Sequence, residues 1–289
     1  MDKCVGCGAC VEKCPKKVAD SYNEGLVQRK AIYVPYTQAV PLKYVIDAEN
    51  CIKLTRGKCG NCEAVCPAGA IRYDDKDQTL FLNVGSIILA PGFTPFHPQN
   101  AIVYGWDVSP DVVTSLEFER LLSASGPNKG HIVRMSDHRE PEKIAWLQCV
   151  GSRDINRCDN AHCSSVCCMY AIKQAIIAKE HDPGLECTIF YMDMRTHGKG
   201  FEACYQDARE KHGIRFIRCR IHSVSSPPDK DTQSLVYVDD TTGEQTQEFF
   251  DMVVLSVGME ISADTRAFAE KIGLSLTEQG FCRTDPFHP

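Results

Sequence analysis

Four cysteines open the chain with a proline behind the last: Cys4-Val-Gly-Cys7-Gly-Ala-Cys10-Val-Glu-Lys-Cys14-Pro15. Thiolates are soft anionic ligands, and three of them at this spacing on one tight loop can reach three irons of a single [4Fe-4S] cube. Gly6, Gly8 and Ala9 leave room for backbone N–H groups beside the sulfurs, while the fourth cysteine, followed by proline, turns away to a different cube. A second run supplies the counterpart, with Cys51, Cys59, Cys62 and then Cys66-Pro67. The crossing rule for paired clusters assigns one cube to Cys4, Cys7, Cys10 and Cys66, and the other to Cys14, Cys51, Cys59 and Cys62. The wider gap between Cys51 and Cys59, which carries Lys53, Arg56 and Lys58, lengthens one loop. Two structural zinc sites are the alternative; zinc pairs usually come as separated Cys-x2-Cys knuckles without a trailing Cys-Pro, which disfavours them.

A third set of thiols lies further on: Cys149, Cys158, Cys163 and the adjacent pair Cys167-Cys168. The elements around it read as an alternation of strand and helix. Strand-like runs at Lys143 to Val150, Thr188 to Met192 and Ile214 to Cys219 alternate with helical stretches at Val166 to Lys179 and Gly200 to Lys211, the order of a parallel sheet. A hairpin follows at Ser234 to Val238 and Glu248 to Val257, ending in Gly258. The thiols thus fall at the carboxyl end of a strand and the start of a helix, where open α/β sheets hold ligands and where the helix dipole favours negative charge. A dinucleotide fold would have G-x-G-x-x-G there; this chain has Gln148-Cys149-Val150-Gly151-Ser152-Arg153. The reading taken is a third cube on Cys149, Cys163, Cys167 and Cys168 with Cys158 spare, against a zinc site or a redox disulfide. The disulfide is weakened because adjacent cysteines rarely bond to each other without strain.

The remaining positions support this chemistry or are silent. Between the two N-terminal runs, residues 23–41 with Tyr33 and Tyr36 are expected either to dock a partner or to form an exposed loop with an apolar strand at Ala31 to Val34. After Cys66, a hairpin through Ile71 to Tyr73 and Leu80 to Leu82 is expected to lead into a buried strand at Val84 to Leu89, ending in Ala90-Pro91-Gly92. His162 and His197 read as surface or supporting residues, and Cys187, Cys204, Cys219 and Cys282 as small buried ones. No Ser/His/Asp set or carboxylate pair stands out as a hydrolytic site. Seventeen cysteines in 289 residues, kept free by a reducing cytoplasm, point to metal ligation over disulfides. A formal charge of −6 makes a poor nucleic-acid binder, and no apolar run approaches the roughly 20 residues of a membrane span.

Several stretches resemble one family: Gly25 to Tyr33, Gln38 to Pro41, Thr114 to Pro127, Gln148 to Asp154, Cys167 to Ala175 and Phe190 to Met194 are similar to the A-subunit family of heterodisulfide reductase. The resemblance implies an FAD-containing iron–sulfur protein on a thioredoxin-reductase-like scaffold, with a two-cluster ferredoxin module inserted in the FAD domain. It also implies an extra cube, carried onto Cys149, Cys163, Cys167 and Cys168. Ala90, Pro91 and Gly92 would stand at the strand end that lines flavin, and Lys173, on the helix bordering the flavin ring, would tune the flavin. The family's N-terminal G-x-G-x-x-G is missing, and the chain stops at Phe287-His288-Pro289 where the family would return to the FAD domain, so an internal fragment is expected.

The expected fold is therefore α/β with an α+β ferredoxin-like insert. Its parts would be a two-cluster module over 1–75, a partial FAD-domain segment over 76–135, a Rossmann-like domain with the third cluster over 136–260, and a truncated return segment over 261–289. The implied role is a cytoplasmic oxidoreductase subunit passing electrons between FAD and three [4Fe-4S] clusters, with flavin-based bifurcation as one form of it. Implied partners are other subunits of a heterodisulfide reductase-like complex, a donor subunit of hydrogenase or formate dehydrogenase type, and ferredoxin. The competing readings are the flavin subunit of a quinone-interacting membrane-associated oxidoreductase and a flavin-free polyferredoxin-like relay.

Overall fold

The computed structural model describes residues 3–227, 231–285 and 287. His288 and Pro289, which mark the expected break from the family, lie outside them. The chain forms two compact units, one of residues 1–87 with 123–130, the other of 88–122 with 131–289.

In the first unit the helices are single turns: α1 (Ala9–Lys13), α2 (Ile52–Arg56) and α3 (Asn61–Ala64). Isolated helices this short are not stable in water; the small pair of hairpins beside them supports them. Strand β1 (Lys17–Ala19) pairs antiparallel with β2 (Gln28–Lys30), and β3 (Ile32–Tyr33) with β4 (Val45–Ile46). The core is minimal: Cys10, Ile32 and Cys62 are buried, with Val11, Tyr44, Ile46, Ile71 and Tyr73 packed on them. The expected strand at 31–34 is thus present as β3, with Ala31 and Ile32 inward.

The second unit carries the long elements. Its strands are β5 (Thr94–Pro95), β6 (Val112–Thr114), β7 (Lys143–Val150), β8 (Glu186–Tyr191), β9 (Arg215–Arg218), β10 (Val224–Ser225), β11 (Gln233–Val238), β12 (Gln245–Phe250), β13 (Met252–Val257) and β14 (Met259–Glu260). Its helices are α4 (Ser115–Leu122), α5 (Ile155–Cys158), α6 (Cys167–His181), α7 (Phe201–Glu210) and α8 (Ala263–Lys271). Five strands make a parallel sheet in the order β6-β13-β7-β8-β9, the Rossmann-like layering expected from the strand-helix alternation. Strands β10, β11 and β12 form a separate antiparallel sheet, and β5 pairs with β14. Strand β7 is central and buried along nearly its whole length, which is why it reads Ile-Ala-Trp-Leu-Gln-Cys-Val without polar alternation. Helix α4 is started by a reciprocal cap: Glu117 N–H donates to the Thr114 hydroxyl, and the Glu117 carboxylate accepts from Thr114 N–H.

Two expectations are corrected. Residues 80–92 form neither hairpin nor buried strand, and Ala90, Pro91 and Gly92 are exposed and irregular; Phe81 is 95% and Ile88 92% exposed. An apolar run becomes a strand only beside another strand, and none of the described strands pairs with it. The run from Glu248 to Val257 is two strands, divided at Asp251. That carboxylate accepts from the N–H groups of Glu142 and Lys143 at 2.8 Å each, so the chain leaves the β11–β12 hairpin and enters the parallel sheet beside β7.

Candidate metal centres and the adjoining cavity

The first unit holds two thiol-lined cavities. Cys4, Cys7, Cys10 and Cys66 line one, and Cys14, Cys51, Cys59 and Cys62 line the other. Neighbours in sequence are thus separated in space: Cys14 leaves the loop of Cys4 to Cys10, and Cys66 leaves Cys62. Local backbone produces this. After α1 the chain turns to extended conformation at Cys14, and α3 ends so that Cys66 N–H bonds Glu63 O and Cys66 Sγ accepts from Ala70 N–H at 3.3 Å. Gly8, at φ +82, lets the loop pass the Tyr44 hydroxyl, which a β-carbon there would approach at 3.2 Å. Lys30 Nζ bonds the Cys14 carbonyl at 2.7 Å and Lys43 Nζ the Cys4 carbonyl, so both loops are fixed by cations.

The electrostatics favour thiolates unevenly. The Tyr44 backbone N–H draws the Cys4 pKa down, while burial raises that of Cys10. Each cavity has one phenol. Tyr44 stands over the first, its own pKa raised by burial and by Cys10, Cys7 and Cys4; the Tyr73 hydroxyl lies 3.1 Å from Cys62 Sγ in the second, with a pKa raised by burial and that hydrogen bond. Among the described residues no group of three or more His, Cys, Asp or Glu side chains converges on a point that could hold a metal ion. Four thiols lining each cavity are the donor set of a [4Fe-4S] cube.

In the second unit the carboxyl end of β7 and the first turn of α6 bring further thiols together. Cys149 and Cys163 act electrostatically on each other and on Cys167 and Cys168. Cys149 takes a left-handed backbone, φ +63, which is strained for a residue with a β-carbon and turns the strand end toward the other three. Burial is the main influence on each of these buried thiols, pushing Cys149 up to about 11 and Cys167 up to about 12. Cys163 Sγ accepts from Ser165 N–H at 3.3 Å, and Cys167 Sγ lies 3.6 Å from the Val257 carbonyl. A serine pair fixes the loop between them: Ser152 and Ser164 hydroxyls are 3.0 Å apart, and Ser164 also accepts from Met259 N–H. Cys158 stands elsewhere. It sits at the end of α5 against the hydrophobic core, facing Asp154, Arg220 and Arg157.

One face of α6, with Tyr170, Lys173, Gln174 and Ile177 at helical spacing, borders a largely apolar, open cavity also lined by Phe93, Pro95, Val257 and Met259. Gln174 anchors that face, accepting from Trp146 Nε1 at 3.2 Å and donating to the Ser115 carbonyl at 2.9 Å. Tyr170 Oη donates to the Val257 carbonyl at 2.8 Å and also bonds Cys167, so it touches both the thiol group and the cavity. From the sequence, Tyr170 could pack on the cluster or simply fill core; nothing there singles out the Ser152–Ser164 pair, since it depends on the approach of the chain at Met259. His162 stacks edge-on against Phe281 at 5.2 Å. Cys187 is buried, but Cys282, expected inside, is exposed; it lies in an isolated bridge near the described end of the chain, with no sheet over it.

These features define a two-cluster iron–sulfur module joined to a Rossmann-like α/β domain, and likeness to known proteins agrees. A family profile described as a 4Fe-4S dicluster domain matches residues 3–70. Over nearly its whole length the chain is similar to the A-subunit of heterodisulfide reductases. It is 43% identical over 288 residues to the iron-sulfur A-subunit of the CoB–CoM heterodisulfide reductase of Methanocaldococcus jannaschii, covering 99% of this chain and 42% of the relative. It is 43% identical to the A-subunit of the H(2)/formate:CoB-CoM heterodisulfide,ferredoxin reductase of Methanococcus maripaludis, covering 100% and 43%. With the A-subunit of the ferredoxin:CoB-CoM heterodisulfide reductase of Methanosarcina acetivorans the identity is 35%, covering 98% and 38%. The chain spans about two fifths of the length of these curated relatives.

Proposed function

We propose that this chain is the cluster-bearing part of an iron–sulfur flavoprotein that transfers electrons within a heterodisulfide reductase-like complex. The observation that carries the reading is the sorting of eight N-terminal thiols into two cavities of four, each drawing one member from the other's sequence run. Cys4, Cys7, Cys10 and Cys66 would hold one cube, Cys14, Cys51, Cys59 and Cys62 a second, and Cys149, Cys163, Cys167 and Cys168 a third. Such clusters supply one-electron exchange at low potential. The residues around them exclude water and supply hydrogen bonds: Tyr73 to Cys62, Ala70 N–H to Cys66, Ser165 N–H to Cys163.

The cavity beside α6 suits the flat, apolar ring of a flavin, with Lys173 on its wall as the only side-chain cation among the described lining residues. Bound there, FAD would supply the exchange between electron pairs and single electrons, and Lys173 would favour its reduced, anionic form. Ala90, Pro91 and Gly92, expected at the same ring, are exposed and stand outside the lining of this cavity, which Phe93 and Pro95 join instead. No G-x-G-x-x-G occurs in the sequence, so the pyrophosphate has no glycine-rich turn to rest on here. The relatives named for H(2)/formate and ferredoxin support partners of the hydrogenase or formate dehydrogenase type and ferredoxin, and bifurcation at the flavin as the finer reading. Seventeen free cysteines support a reducing, cytoplasmic setting. Among the described residues no helix is long and apolar enough to cross a membrane.

Metal analysis after anaerobic reconstitution tests the reading. Three cubes give about twelve irons per chain. Eight irons would remove the cluster at Cys149 to Cys168, and stoichiometric zinc would remove the iron–sulfur assignment of the run that held it. Cys167→Ala should abolish one low-temperature EPR signal while Cys158→Ala leaves all of them.

A further inference from the structure

The turn after β7 and the loop after β8 together flank three of the four thiols in the second unit, Cys149 beside Arg153 and Cys163 and Cys168 beside Asp193 and Arg195. The Asp193 carboxylate holds two guanidinium groups: Arg153 Nη1 on Oδ1, and Arg195 Nε and Nη2 on Oδ2 at 3.3 Å each. Each arginine also lies close enough to a thiol to act on it electrostatically, Arg153 on Cys149 and Arg195 on Cys163. The loop backbone completes the contact, the Cys168 sulfur lying 3.9 Å from the Asp193 carbonyl. Arg153 is aimed there by its backbone, at φ +57 with its N–H bonded to the His162 carbonyl. Two cations and one anion leave a net charge of +1 beside four thiolates.

We propose that Arg153 and Arg195, bridged by Asp193, form a cationic bracket that raises the reduction potential of the cluster held by Cys149, Cys163, Cys167 and Cys168. This rests on that cluster being present. Reduction adds one negative charge to the group, and a fixed cation beside it stabilises the reduced form more than the oxidised one. The bridging carboxylate does the opposite and, by holding the guanidinium forks in place, fixes how much of their charge is felt. Tyr170, at Cys167, is on the side that faces the cavity, so the bracket and the flavin-type cavity address different thiols. Neither Arg153 nor Arg195 lines the cavity.

The test is an EPR-monitored redox titration of the reconstituted full chain, with iron counted in each sample. Arg195→Gln should keep about twelve irons and lower the midpoint potential of the one signal that Cys167→Ala abolishes. Arg195→Lys should lower it less, and Asp193→Asn should raise it. Raising the salt concentration should shrink all three shifts, because the bracket is partly exposed. Unchanged potentials in Arg195→Gln and Asp193→Asn at full iron content overturn the bracket and leave the cluster. If Arg195→Gln loses the cluster, Asp193→Asn decides alone: a rise supports the bracket, no change or a fall overturns it. Absence of the third signal in the unaltered chain would instead refute the cluster itself.

Discussion

Replacing Cys66 by alanine separates proximity in sequence from proximity in space. Cys66 is four residues from Cys62, yet it lines the cavity of Cys4, Cys7 and Cys10. Cys66→Ala should therefore lower the iron content from about twelve to about eight by loss of the Cys4 cube, leaving the Cys62 cube intact. The surviving cluster can be recognised by Tyr73, whose hydroxyl is 3.1 Å from Cys62 Sγ. A hydrogen bond to a charged group contributes roughly 1.5 kcal/mol at the low end. Taking about half of it as the excess on the reduced form gives roughly 0.7 kcal/mol, and at 59 mV for each tenfold change in a one-electron equilibrium this is about 30 mV. Tyr73→Phe should lower one midpoint potential by about that amount, and should still do so in the Cys66→Ala background. In Cys14→Ala, which removes the Cys62 cube, the same tyrosine change should move nothing. The assay is redox-poised EPR with iron analysis. The opposite pattern, with the Tyr73 effect lost in Cys66→Ala and kept in Cys14→Ala, would refute the crossed assignment.

Two further outcomes follow from the second unit. Gly151→Ala places a β-carbon 2.1 Å from Phe96 Cγ at φ +76, and Phe96 is 2% exposed and cannot swing away; overpacking and left-handed strain together should cost about 3 kcal/mol, seen as an earlier thermal melt, and an unchanged melt would refute the packing of that strand end. Iodoacetamide at pH 8 should label Cys282 first and leave Cys187 unmodified until the chain unfolds, because burial pushes the Cys187 thiol up to about 12 and almost none of it is thiolate below that; peptide mapping by mass spectrometry reads the order.

Spacing alone carried the N-terminal thiols a long way, because three ligands on one loop and a Cys-Pro exit restrict what such a loop can bind. Strand β7 and helix α6 were legible too: a mostly apolar run without polar alternation reads as a buried strand, and a fifteen-residue helix satisfies its own backbone hydrogen bonds. The run at 80–89 was not, since its strand-like composition says nothing of whether a partner strand is there to accept its hydrogen bonds. Nor could composition split the run at Asp251, because that break depends on a carboxylate meeting the N–H groups of Glu142 and Lys143, more than a hundred positions earlier. The third thiol group lies between these cases. Sequence fixes the adjacency of Cys167 and Cys168, but what surrounds them comes from β7, from β13 and from the loop after β8. Local propensity and ligand spacing act within a few residues and can be read along the chain. The Arg153–Asp193–Arg195 bracket and the wall of the α6 cavity exist only because the parallel sheet brings distant strand ends to one edge, and that is a property of the fold.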